Sequence, residues 1–158
     1  MKTNIIAIAA LAASITLAAA AEKIKAPNGG RVIDTVDPHA EFLVTAGKKV
    51  EIRFMDDAGK VVAPAAQVVT VTMGDRANPT KLTFAREGDK LVSDKTIPEG
   101  NELPVVVQFK MTPETRTTNA KFTLNLNKCP TCEHAEYACT CAHGDSGHDH
   151  KEGDGHKH

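Results

Sequence analysis

The residues best suited to chemistry lie at the C-terminal end of the chain. All four cysteines and six of the seven histidines fall between Cys129 and His158. Thiolate sulfur and neutral imidazole nitrogen are the ligands that zinc and copper prefer in proteins. This segment therefore predicts a transition-metal site, with a disulfide-bonded cap as the alternative.

The cysteines form two close pairs, C-x-x-C and C-x-C, with six residues between them. The members are Cys129, Cys132, Cys139 and Cys141. Two such pairs can complete a tetrahedron around one zinc ion at about 2.3 Å per Zn–S bond. In an oxidising compartment the same residues could instead form two disulfides. The run Cys-Pro-Thr-Cys also has the C-P-x-C form of a redox dithiol, but such a dithiol needs a βαβ setting that this chain lacks.

The histidines form a second set of candidate ligands, most of them beyond the cysteines. His134 lies between the two cysteine pairs, and the rest are interspersed with Asp, Glu and Gly. Residues 142–158 contain no side chain able to build a core, so we expect a disordered tail that binds ions weakly and exchanges them quickly. The candidate ligands of the tail are His143, His148, His150, His156 and His158.

Residues 1–21 have the pattern of a secretory signal peptide. Lys2 is followed by an apolar run from Ile5 to Ala18, and the four alanines that end at Ala21 offer an A-x-A cleavage site. The run is shorter than the roughly 20 strongly apolar residues that a membrane span needs. We therefore expect a mature protein that is soluble in the periplasm or secreted, with no membrane span after cleavage.

Residues 22–128 predict an all-β domain of the immunoglobulin-like sandwich class. Short runs rich in Val, Ile, Thr and Phe recur between turn residues, and apolar side chains alternate along them, as at Val50, Ile52 and Phe54. The spacing indicates seven or eight strands. Their inward apolar side chains form a core large enough to stabilise the domain without the cysteines. We therefore expect the domain to be followed by a Cys-rich cap at 129–141 and by the His-rich tail at 142–158.

Charge and motif content exclude several classes of function. The 19 basic and 20 acidic residues give a net charge of −1, which offers no field for nucleic acid. The chain has no G-x-S-x-G, no phosphate-binding glycine loop and no H-E-x-x-H. We therefore expect neither nucleic-acid binding nor catalysis.

A short motif near the start of the β domain carries a family resemblance. The stretch Pro27-Asn28-Gly29-Gly30-Arg31, followed by His39 and Glu41, resembles the P-x-G-G … H-x-E opening of small exported proteins and adaptor segments associated with heavy-metal efflux. The resemblance covers residues 27–41 only, and Asn28 replaces the first His of that pattern. It implies that His39 and Glu41 are candidate metal ligands, which strand alternation would place on one face.

These observations predict an exported protein that binds a transition metal, Zn(II) or alternatively Cu, for sequestration or delivery in the periplasm. Its partners would be metal ions and a metal-efflux or other envelope protein. The rival hypothesis is a non-catalytic immunoglobulin-like domain that binds an envelope protein and carries a disulfide-stapled cap. A thiol oxidoreductase is the third.

Overall fold

The computed structural model describes residues 23–141, which form an all-β fold. Within these residues, nine strands follow one another, and one 3₁₀ turn at Glu136–Ala138 follows the last of them. The strands are β1 (Arg31–Ile33), β2 (His39–Val44), β3 (Val50–Met55), β4 (Val61–Val62), β5 (Val68–Met73), β6 (Thr80–Glu87), β7 (Lys90–Ser93), β8 (Glu102–Lys110) and β9 (Thr118–Asn125).

The strands form one antiparallel ladder in the order β1-β2-β3-β7-β6-β5-β8-β9, with the short β4 paired to β3. Strand β6 joins the two halves of the ladder, since Thr80–Thr83 pair with β5 and Phe84–Glu87 pair with β7. The all-β prediction is confirmed, and the ladder curves into a nearly closed sheet. The immunoglobulin-like sandwich topology stays a prediction.

The alternation predicted for the strands is visible in their burial. Val50, Ile52 and Phe54 are fully buried on one face of β3, while Glu51 and Arg53 occupy the other. The inward residues of β5, β8 and β9 complete the same core. They are Val69, Val71, Met73, Leu103, Val105, Val107, Phe109 and Leu124.

The chain after β9 packs back on the strands as part of this core. A bridge between Lys128 and Ala135 and a bond from Glu136 N to Asn127 O (2.9 Å) shape residues 127–136 into a small hairpin. The hairpin leads into the 3₁₀ turn, where Tyr137 and Ala138 are each 5% exposed. These two residues belong to the core cluster of the strands. The cysteine segment, residues 129–141, is thus anchored through the turn that it contains.

Within residues 23–141, no helix is long and apolar enough to span a membrane. The predicted signal peptide and the His-rich tail lie outside the described residues.

Candidate metal centre

The four cysteines converge on one point. One sulfur from each of Cys129, Cys132, Cys139 and Cys141 lies within 4.8 Å of all the others. Cys139 Sγ is 3.3 Å from Cys129 Sγ and 3.6 Å from Cys132 Sγ. A zinc ion with four Zn–S bonds of about 2.3 Å needs sulfurs about 3.8 Å apart. The cluster therefore has the dimensions of a tetrahedral thiolate site, and none of its four members forms a disulfide in this structure.

Two local elements bring the pairs together. Cys129 begins the turn of the small hairpin, where its N–H donates to the His134 carbonyl (2.9 Å). Cys139 directly follows the 3₁₀ turn, and its N–H donates to the Glu136 carbonyl (3.2 Å). The hairpin therefore presents the first pair, and the end of the 3₁₀ turn presents the second.

Three of the sulfurs accept a hydrogen bond from a backbone N–H two residues further along the chain. Thr131 N donates to Cys129 Sγ (3.5 Å) and Cys141 N donates to Cys139 Sγ (3.3 Å). His134 N donates to Cys132 in the same way. Amide donors aimed at sulfur stabilise the thiolate form, which is the form that binds metal.

The Thr131 hydroxyl adds a side-chain donor to this set. It lies 3.2 Å from Cys129 Sγ and also hydrogen-bonds the Cys141 sulfur. Hydrogen bonding by this hydroxyl, opposed by burial, lowers the pKa of the Cys129 thiol to about 6. The same hydroxyl lowers the pKa of Cys141. Two of the four thiols are thus disposed to ionise, one from each pair.

The other two thiols hold their protons more tightly. Burial and the neighbouring sulfurs raise the pKa of Cys139 to about 12, against the bond from Cys141 N. At Cys132 the bond from the His134 backbone lowers the pKa, but burial and the Cys129 sulfur outweigh it and raise the pKa. Four sulfurs this close repel one another when all are ionised, and a divalent cation at their centre would remove that penalty.

Glu41 is fully buried, and the Pro-Asn-Gly-Gly turn supplies donors to its carboxylate. Oε1 accepts from Asn28 N and Gly30 N, and Oε2 accepts from Asn28 Nδ2, each at 2.9 Å. The motif that carried the family resemblance therefore forms a cradle for a carboxylate in this chain. Asn28, which stands in place of a histidine, provides two of the three donors.

His39 is bonded separately from Glu41. Its Nε2 lies 3.1 Å from Asp57 Oδ1, while its Nδ1 is buried. Among residues 23–141, the four cysteines are the one group of three or more His, Cys, Asp or Glu residues close enough to share an ion. The structure does not bring His39 and Glu41 into a group of that kind, and a ligand role for them stays a prediction.

The predicted histidine ligands are only partly described. His134 is exposed, and a Cβ placed on Gly29 would lie 3.1 Å from His134 Nδ1, so its ring lies against the Pro-Asn-Gly-Gly turn. His134 contributes its backbone to the cluster. His143, His148, His150, His156 and His158 lie outside the described residues.

Comparison with protein-family models, curated proteins and solved structures found no match to this chain.

Two residues that shape the site, Thr131 and Tyr137, were not predicted from the sequence. A hydroxyl residue inside C-x-x-C is a signal that could have identified Thr131, since that position is next to Cys132 in the sequence and two residues from Cys129. Tyr137 is the one tyrosine of the chain and stands between the cysteine pairs. An aromatic residue in an otherwise polar segment could have indicated an anchor to the core.

Proposed function

We propose that this protein binds one transition-metal ion through the thiolates of Cys129, Cys132, Cys139 and Cys141. The observation that carries the proposal is the convergence of four sulfurs from two chain segments within 4.8 Å of one another. The amide donors directed at Cys129, Cys132 and Cys139 support it, because they stabilise the ionised form of the ligands.

Zinc is the metal that this ligand set favours. Four thiolates in a tetrahedral arrangement are typical of structural Zn(II) sites, which use all four ligand positions. Copper is the alternative, because thiolates also bind Cu(I) strongly.

The role that we propose is sequestration or delivery of the metal in the periplasm. The apolar N-terminal run supports export, and the histidines beyond residue 142 supply weaker ligands that could load or unload the cluster. A metal-efflux protein or another envelope protein would exchange the ion.

The local structure around Cys129 and Cys132 does not support the thiol oxidoreductase alternative. In a C-P-x-C oxidoreductase the attacking cysteine lies at the N-terminus of an α-helix, which lowers its thiol pKa. Cys129 and Cys132 lie instead in the turn of a hairpin, and residues 23–141 contain no α-helix. An insulin-reduction assay should show no turnover.

Thiol counting combined with elemental analysis tests the proposed function. The untagged full chain, purified under reducing conditions, should contain about one zinc per chain at the cysteines and four thiols that become reactive only after chelation. The matched control replaces all four cysteines with serine and keeps every histidine, so it isolates the contribution of the tail.

Two results would decide against metal binding. One is an absence of free thiols together with an absence of metal, which supports the disulfide-stapled interaction domain. The other is equal metal content in the wild type and the four-serine control, which assigns the bound ion to the histidines.

A further inference from the structure

We infer that the metal at the four cysteines controls closure of the β-sheet, because its ligands hold Tyr137 in the seam between β1 and β9. This inference rests on the proposed function and concerns the regulation of that same site. Metal loss would release the 3₁₀ turn and open the seam.

The seam is the one break in the curved ladder of the described residues. Strands β1 and β9 stand at its two ends, and no pairing joins them within residues 23–141. The 3₁₀ turn packs against both strands instead. It therefore lies beside two strands whose outer edges have no strand partner in the described residues.

Tyr137 holds the turn at the β1 side of the seam through its ring, its hydroxyl and its carbonyl. Its ring meets Phe42 edge to face, with centroids 6.1 Å apart. Its hydroxyl accepts a hydrogen bond from Val44 N at 3.0 Å. Its carbonyl accepts one from Arg31 Nη1 at 3.0 Å. These bonds attach the turn to β1 and β2.

Arg31 completes the closure from the side of β1. Its guanidinium carbon lies 4.8 Å from the centroid of the Phe122 ring of β9, and Phe122 in turn meets Phe42 at 5.1 Å. One side chain thus contacts both the last strand and the turn. Its hold on the turn requires the Tyr137 carbonyl to stay in place.

The turn is mechanically joined to the metal ligands. Cys139 directly follows it, and the hairpin that holds Cys129 and Cys132 directly precedes it. A three-residue 3₁₀ turn has little stability of its own. A metal ion would close residues 129–139 into a loop and so reduce the conformational freedom that Tyr137 must lose when it enters the seam.

The test compares the full chain, untagged and reduced, with one equivalent of zinc and after chelation. The Val44 amide should exchange its hydrogen at least about tenfold more slowly in the zinc-loaded form than in the chelated form. The reason is that this amide donates to the Tyr137 hydroxyl, and the bond is lost when Tyr137 leaves its position. The Val71 amide, in the β5–β8 ladder, is the internal reference. Tyrosine fluorescence is a second measurement, because Tyr137 is the one Tyr and the chain has no Trp.

Cysteine protection from alkylation, measured by mass spectrometry in the same samples, reports occupancy of the cluster. Protected cysteines together with slower exchange at Val44 support the inference. Protected cysteines with unchanged exchange and fluorescence overturn it and leave the proposed function standing. Cysteines that zinc does not protect overturn both.

Two variants separate seam closure from general folding. Tyr137→Phe keeps the ring and the ligands but removes the acceptor for Val44 N, so zinc should still protect the cysteines while the difference at Val44 shrinks. Cys139→Ser removes one of the four ligands. With zinc present, its Val44 exchange and its tyrosine fluorescence should match those of the chelated wild type. A Cys139→Ser protein that still slows Val44 exchange on adding zinc would contradict the inference.

Discussion

At the scale of single residues, the charge on the cluster depends most on Thr131. Its hydroxyl is the first cause of the lowered pKa at both Cys129 and Cys141. It therefore acts on one cysteine from each pair, although it belongs to the turn of the first. Outer-sphere partners of this kind orient ligands and tune their basicity.

We predict that Thr131→Val weakens zinc binding by about 10- to 100-fold, the usual effect of losing such a partner. Valine matches the shape of threonine but cannot donate to sulfur. The measurement is competition with a chromogenic chelator at neutral pH. Thr140→Val, an exposed threonine between Cys139 and Cys141, is the matched control. Equal losses in the two variants would contradict the role of the hydroxyl.

At the scale of elements, the Pro-Asn-Gly-Gly turn joins the strands to the cysteine segment. On one side it donates to the buried carboxylate of Glu41, and on the other Gly29 lies against the ring of His134. The turn must approach β2 closely to do this. A Cβ on Gly30 would lie 2.5 Å from the Phe42 carbonyl oxygen and 2.9 Å from Glu41 Cγ.

We predict that Gly30→Ala lowers the free energy of unfolding by about 1–3 kcal/mol, the usual cost of an overpacked site. The backbone of β2 cannot move aside as a flexible side chain could. Urea unfolding of the metal-free protein measures the change. Gly47→Ala is the control, because the nearest atom to its new Cβ would be Thr45 Oγ1 at 3.8 Å. A cost at Gly30 no larger than that at Gly47 would contradict the close approach.

The outer face of β3 and β7 carries an ion-pair network that should make stability depend on pH. Glu51 lies 2.6 Å from Lys90 Nζ and 2.7 Å from Arg53 Nη2. Burial alone would raise the pKa of Glu51, but the bonds and charges of Lys90 and Arg53 outweigh it and lower the pKa below the ordinary value of 4.5. The unfolded chain therefore binds this proton more readily than the folded one.

We predict that the stability supplied by ionised Glu51 is fully present above pH 4.5 and is lost as the pH falls through the lower folded pKa. The stability difference between the wild type and Glu51→Gln should therefore shrink on acidification. Urea unfolding between about pH 7 and about pH 3 measures it. Glu99→Gln, on an exposed loop, controls for the loss of one negative charge. A difference that widens on acidification would contradict the network.

The strands could be predicted from the sequence because each has a local signature. Alternation at Val50, Ile52 and Phe54 defines both the strand and its buried face, and these residues are buried as expected. Closure of the sheet could not be predicted in the same way. It depends on β3 pairing with β7 and on β5 pairing with β8, which join strands far apart in the sequence and have no signal in the residues of either strand.

The candidate site was predictable to a similar extent. The spacing of Cys129, Cys132, Cys139 and Cys141 indicated one cluster, and the four sulfurs do converge. The role of Glu41 as a hydrogen-bond acceptor for the Pro-Asn-Gly-Gly turn could not be predicted. A carboxylate on a strand has the same sequence pattern whether it binds an ion or accepts hydrogen bonds from amides. The contribution of Tyr137 depends on β1 and β9 facing each other across the seam.

At the scale of the whole molecule, the cysteine segment is both the candidate metal site and the closing element of the fold. The core supplies the contacts of Tyr137, and the proposed metal would supply a link between the two chain segments on either side of it. Stability and metal occupancy should therefore rise together, as for any ligand that binds the folded state alone.

The central claim is that one metal ion is bound by these four sulfurs, and X-ray absorption at the zinc edge tests it most directly. The untagged full chain, reduced and loaded with one equivalent of zinc, should show four sulfur neighbours at about 2.3 Å. A first shell made mainly of nitrogen and oxygen at about 2.0–2.2 Å would contradict the account, because it would place the ion on histidine and carboxylate groups instead.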